Sequence, residues 1–353
     1  MEGLRGVAVS LVFLQHYSTQ FLVYGHVSGV TDGFAKTVQR FGNYGVELFF
    51  VLSGYLIYGI LLRRRPAFFA FMARRAQRLY PAFLVVLVLA AAVDFLRPEP
   101  KIGPGYQGIW YLAENVAFLP GLLPIDPLFA VNWSLSYEWW FYASATVLFS
   151  VLGLSTLPKP ARIGLIVGLA GALIALSALD LPNVPIRGLP LFVGMLLAEH
   201  RGKLPGVISV PLAFGCFVGA MFAPAAWVTS LLLAIGFGAL CASAIGNDSL
   251  VGKPLSWRYM RWFGNMSYSY YLVHGLIVVL CLRALFLVSS GNDLSFWLCL
   301  VPVFTFSAVG GAVLFLFVEK PYSLQQRAEP TRLSAIRGHG PQPAAASDRR
   351  RNF

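Results

Sequence analysis

Charged residues are scarce in this chain of 353 residues: they make up 12% of it, about half the share usual in soluble domains. A chain of that length would need far more charge to cover the surfaces of two or three water-soluble domains. Acids are scarcer than bases, 15 against 27. Cysteine occurs four times, at Cys216, Cys241, Cys281 and Cys299, each within an apolar run and without metal-ligand spacing. The cysteines read as small buried side chains, and no metal site is expected. No repeat of fixed period is found, and no cleavable signal peptide is expected. The first apolar segment is too long for a signal core, lacks a small-residue cleavage pattern and contains His16. No appended soluble catalytic domain is expected either, so any chemistry falls to the apolar part of the chain or its loops.

Apolar residues are what the chain has, 57% of it. They come in blocks: 82–93, 163–179, 227–245 and 294–318 are nearly free of charge. About 20 apolar residues cross a hydrocarbon core as a helix. The pattern predicts an all-α, polytopic integral membrane helical bundle of about ten transmembrane helices. The expected spans lie near 6–25, 44–62, 79–96, 134–153, 162–179, 187–199, 207–223, 226–245, 266–286 and 295–318, the sixth short and interrupted by Pro190. The reading divides the chain into a transmembrane domain, 1–321, and a disordered basic tail, 322–353, cytoplasmic and poor in large apolar residues.

The formal net charge of +12 invites a nucleic-acid partner, but its distribution argues for topology instead. With the N-terminus inside, inward segments carry twenty Lys and Arg and outward loops five. That asymmetry follows the positive-inside rule and predicts N-in, C-in, with the 97–132 loop outside. No nucleic acid is expected; the bilayer is.

Ionisable residues inside spans are costly and are therefore candidates for function. Arg5 and His16 are eleven residues apart, which places them on one helix face, roughly 16 Å apart along the axis. Glu47 heads the run Glu47-Leu48-Phe49-Phe50-Val51-Leu52-Ser53-Gly54-Tyr55. Arg74-Arg75-Ala76-Gln77-Arg78 precedes the third span and suits the phosphates of a cytoplasmic ligand. Ser134, Glu138 and Tyr142 recur at i, i+4, i+8 and form a polar stripe, with Tyr137 beside it. Ser267, Tyr270, Tyr271 and His274 share a face of the ninth span, and Val318-Glu319-Lys320-Pro321 closes the tenth. Each cluster also has a plainer reading: a packing histidine, a structural ion pair, a topology anchor, an interfacial aromatic belt.

In order along positions 4–321, these segments resemble the membrane-bound acyltransferase family 3, of the stand-alone type without a fused extracytoplasmic domain. The likeness rests on Leu4-Arg5-Gly6 with His16, the Gly45–Tyr55 run, the Arg74–Pro81 segment, Trp133-Ser134-Leu135-Ser136 with Glu138, the Gly264–His274 segment, and Val318-Glu319 with Pro321. Glu47 stands where Asp is usual in the family. The resemblance implies transfer of an acyl group, acetyl by default, from cytoplasmic acyl-CoA to a hydroxyl of a sugar-type acceptor, such as a cell-surface polysaccharide or glycolipid. It implies a multi-pass protein of the bacterial inner membrane, with acyl-CoA as co-substrate and no bound cofactor. His16, Glu138 and Glu47 become catalytic candidates, and Arg5, Arg75 and Arg78 acyl-CoA-binding ones. Ser134, Tyr137, Tyr142 and His274 become acceptor-side or supporting residues. The rival class is a proton-coupled transporter or flippase, since intramembrane His and Glu also serve proton coupling.

Overall fold

A computed structural model describes residues 1–97, 99–200, 204–245 and 250–324. The tail from 325 onward, and with it most of the expected disordered segment, lies outside these residues, as do Arg201 and Lys203. All regular structure within them is helical.

Helix α1 (Glu2–Tyr24) is followed by α2 (Gly29–Asn43), a short amphipathic helix, and by α3 (Gly45–Arg64). Then come α4 (Phe68–Asp94) and α5 (Gly105–Val116), the latter inside the 97–132 loop. Helix α6 (Asn132–Thr146) runs into a π-helical turn, Val147–Val151. Helices α7 (Lys159–Ala178), α8 (Leu189–His200), α9 (Gly206–Phe222) and α10 (Ala226–Ile245) form the middle of the chain. Two short helices, α11 (Gly252–Leu255) and α12 (Arg258–Asn265), lead to α13 (Ser267–Val288) and α14 (Asp293–Leu314). A second π-helical turn, Phe315–Glu319, and α15 (Lys320–Leu324) follow.

A helix occupies each of the ten expected spans. Six helical stretches are long and apolar enough to cross a bilayer: Gly29–Arg64, Phe68–Asp94, Lys159–Ala178, Ala226–Ile245, Ser267–Val288 and Asp293–Tyr322. The other four expected spans fall on α1, α6, α8 and α9, which are not among those six stretches. Pro190 does not interrupt its helix. It sits in the first turn of α8, where a missing N–H breaks no helical hydrogen bond. The third span starts eleven residues earlier than expected, because α4 begins at Phe68 and carries Arg74–Arg78 and Pro81 within it.

Helix α3 is the hub, packed against α8, α1, α10 and α6. Backbone touches backbone where it meets α8. A Cβ added to Gly54 would stand 2.1 Å from the Leu191 carbonyl oxygen, and one on Gly194 would stand 2.2 Å from that of Val51. Small residues permit such close approach, which membrane helices use in place of a hydrophobic drive to associate. Large apolar side chains instead face outward on α4, α7 and α14, among them Val88, Val167, Val301 and Phe306. In a water-soluble protein such a surface would be a liability; against lipid tails it is neutral. Helix α7 is the extreme case, with Ile166 its one buried residue.

Candidate functional site

Two cavities meet inside the bundle. The inner one, of about 260 Å³, is lined by Arg5 from α1, Ser53 from α3, Arg75 and Arg78 from α4, Ser134, Glu138 and Tyr142 from α6, and Ser267 and Tyr271 from α13. Apolar walls come from Phe49, Leu56, Ile57 and Leu135, among others. A wider vestibule of about 760 Å³ carries Arg64, Arg74, Trp262 and Lys320. Ile60, Arg75 and Arg78 line both, so the arginines stand where one opens into the other.

The depth of these arginines follows from where α4 starts. Arg75 is seven residues into the helix, roughly 10 Å along it. Glu138 is six residues into α6, roughly 9 Å from its N-terminal end. Cations expected at an inner mouth and an acid expected at the outer interface therefore share one cavity in mid-bundle.

Within it the acid is held and the cations are not. The Ser53 hydroxyl donates to Glu138 Oε1 over 2.7 Å, and the Tyr142 hydroxyl donates to the same oxygen. The Arg75 guanidinium lies 5.0 Å from the Phe71 ring and 5.4 Å from that of Tyr142, within cation–π range of both. Its Nε is buried without a hydrogen-bond partner. Among the described residues no carboxylate lies within ion-pair distance of Arg5, Arg75 or Arg78. Glu138 and Glu319 are in electrostatic reach of Arg5, and Glu319 itself accepts from the Ser269 hydroxyl over 2.6 Å. Three cations thus face two acids, an excess of positive charge at the cavity.

The histidines form a second group. His16 and His274 have ring centroids 5.2 Å apart, inclined at 58°. His274 stacks parallel to Tyr270 at 5.5 Å and lies 5.8 Å from Tyr271. Its Nδ1 is 2.8 Å from the Tyr271 carbonyl and 3.2 Å from that of Tyr270. Carbonyl oxygens only accept, so Nδ1 carries a proton, while Nε2 is buried and unpartnered. Neither histidine lines the cavity. Tyr271 is the link: it lines the cavity, neighbours His274, and shares a 2.7 Å hydrogen bond with the Ser134 hydroxyl.

Glu47 stands apart from both groups. It is 2% exposed and paired with Arg187 at 2.7 Å. Arg187 in turn lies 4.1 Å over the Trp133 ring, and Trp133 packs edge-on to Tyr137. Neither Glu47 nor Tyr137 lines the cavity. Arg187 was legible only as a loop cation; Glu47, a lone acid heading an apolar run, was the sign that a partner had to exist. Removing Arg187 leaves a buried carboxylate unpaired. Arg187→Gln is expected to lower stability by about 3 kcal/mol, the low end for a buried pair because Arg187 is 31% exposed. Glu47→Gln/Arg187→Gln should recover most of that loss in thermal unfolding of the detergent-solubilised protein. A Glu47→Gln variant that keeps wild-type stability yet loses turnover would assign Glu47 to the chemistry instead.

Sequence comparison adds an independent finding. A family model described as an acyltransferase domain matches residues 1–317. The chain is 26% identical to YrhL of Bacillus subtilis (strain 168), named as a candidate peptidoglycan O-acetyltransferase, over 92% of this chain and 55% of that one. It is 24% identical to acyltransferase MdmB of Streptomyces mycarofaciens, over 79% of this chain and 78% of the other. It is 30% identical to a candidate O-acetyltransferase of Staphylococcus aureus (strain COL), over 47% of this chain and 27% of that relative. The chain therefore spans about half the length of YrhL and about a quarter of the staphylococcal protein at most. No solved structure matches.

Proposed function

The chain belongs to this acyltransferase family, and from that premise we propose that it moves an acyl group, acetyl in the first instance, from acyl-CoA to a hydroxyl of a sugar-type acceptor at the bacterial inner membrane. The observation that carries the donor half is the set of unpaired arginines. A charge left without a partner inside a bundle costs several kcal/mol, so Arg5, Arg75 and Arg78 are best explained by a ligand that supplies the counter-charge. Phosphates suit them, because guanidinium groups bind phosphate oxygens two at a time. The vestibule has room for the nucleotide end of the donor, and the apolar inner cavity for its thioester arm.

In the transfer itself a base removes the proton from the acceptor hydroxyl. The oxygen attacks the thioester carbonyl carbon, the carbon–sulfur bond breaks, and the coenzyme A thiolate leaves, taking up the proton from the base. His16 is the proposed base, with His274 fixing its surroundings through a committed Nδ1 proton. His16 taking the acyl group first, and passing it on, is the other order of events. An acyl-histidine formed with donor alone distinguishes the two. The relatives named for O-acetylation support an oxygen acceptor, and the peptidoglycan name of YrhL makes a glycan the first one to test.

The direct experiment gives purified protein labelled acetyl-CoA with and without candidate glycans. Acceptor-dependent thioester consumption is expected. A transporter or flippase would instead move an unmodified substrate and leave the thioester intact.

The proposed topology has both termini in the cytoplasm, with the acceptor arriving past the 97–132 loop. A single cysteine placed at Gln107, on exposed α5, should react with an impermeant thiol reagent in intact spheroplasts. Labelling only after lysis would reverse the orientation.

A further inference from the structure

A third cavity, outside the site just described, lies at the end of α3. It measures about 450 Å³ and is lined by Arg63 and Arg65 from that end, Lys159 and Arg162 from the start of α7, and Glu199 and His200 from the end of α8. Arg64, between the first two arginines, lines the vestibule instead. Both cavities therefore open at the same end of the bundle, on either side of the last turn of α3.

The floor of this cavity is neutral and fixed. Arg162 donates through Nε and Nη2 to the two oxygens of Glu199 at 2.6 and 2.9 Å, and through Nη1 to the Leu157 carbonyl at 2.7 Å. The buried Tyr58 hydroxyl donates to Glu199 at 2.5 Å. Glu199 thus has its charge spent on Arg162. Among the described residues Arg63 donates only to the Gly59 carbonyl and Arg65 only to the Ser155 carbonyl. Among the described residues neither they nor Lys159 has a carboxylate within ion-pair distance. Three charges without a carboxylate partner, all on exposed side chains, therefore border one cavity.

The helix whose first turn lines the cavity says what brings the counter-charge. Helix α7 has one buried residue, and Leu165, Val167 and Leu169 are exposed along it, beyond the cavity-lining Lys159 and Arg162. An occupant with a phosphate at one end and apolar chains at the other fits both features. We propose that this cavity binds the phosphate headgroup of an anionic membrane lipid, whose chains lie along α7 and hold that weakly packed helix against α8. The assignment is independent of the acyl-transfer reading, since it uses none of its residues.

The test uses purified full-length protein in nanodiscs of phosphatidylglycerol or of phosphatidylcholine, with bound lipid counted by native mass spectrometry after release. Retention of phosphatidylglycerol over phosphatidylcholine is expected. Arg63→Gln/Arg65→Gln/Lys159→Gln should weaken that retention about a hundredfold, at roughly a factor of five per cation. Lys36→Gln, a cation of α2 outside the cavity, should not change it. If the triple variant fails to fold, Lys159→Gln alone, on an exposed side chain, should still weaken retention severalfold. Equal retention of the two lipids, or wild-type retention by a folded triple variant, overturns the proposal. So does displacement of phosphatidylglycerol by millimolar inorganic phosphate, which would make a soluble phosphate compound the occupant.

Discussion

Replacing His16 by alanine is expected to lower acyl transfer by about 10²–10⁴-fold, the usual contribution of a general base. The variant should insert and accumulate normally. His16 has no hydrogen-bond partner among the described residues, so its loss orphans no polar group that is now satisfied; His274 Nε2 is already without one. Turnover of the purified variant at matched protein level measures the effect. The comparison that gives it meaning is Glu138→Gln, because Glu138 is the acid that lines the cavity where the thioester would lie. A His16→Ala variant with wild-type turnover, beside an inactive Glu138→Gln, would move the base from the histidine pair to the cavity. Loss in both would show that turnover needs the histidine pair and the cavity acid together.

That comparison is needed because the sequence ordered the site's residues more clearly than it placed them. Helical periodicity was enough to put Arg5 and His16 on one face, and Ser134, Glu138 and Tyr142 on another. The latter three do line one cavity. Depth was less legible. Hydropathy starts a span where apolar residues start, yet α4 continues eleven residues further toward its N-terminus, through four polar or charged positions that a cavity solvates. Arginines read as lying at the mouth are inside as a result. The partners of buried acids were the least legible of all, since Arg187 meets Glu47 from 140 positions away. Arg162 and Glu199 are a plainer miss: each is an ionisable residue beside or within an apolar run, the signal already used elsewhere. The helical class was the easiest reading, because in lipid a backbone must satisfy its own hydrogen bonds and apolar runs of this length leave few other ways to do so.

The inner arginines are where the two readings of basic residues separate most cleanly. If Arg75 and Arg78 hold donor phosphates, changing either to Gln should weaken acyl-CoA binding about tenfold to a hundredfold, since a hydrogen bond to a charged group contributes roughly 1.5–3 kcal/mol. Acceptor binding should not change. Lysine should restore only part of the loss. It keeps the charge but has neither the fork that grips two oxygens nor the flat face that Arg75 presents to Phe71 and Tyr142. As topology anchors the same arginines would behave differently: Lys would equal Arg, and Gln would disturb orientation or yield before it touched kinetics. The geometry weighs against a pure anchor. An anchor belongs at the interface, whereas Arg75 is only half-exposed, stacks on rings from two helices and has its Nε buried. Donor affinity measured for Arg75→Lys and Arg75→Gln at matched protein levels decides between them. Unchanged affinity in both would end the phosphate role for Arg75, and the excess charge of the cavity would then need another ligand than coenzyme A.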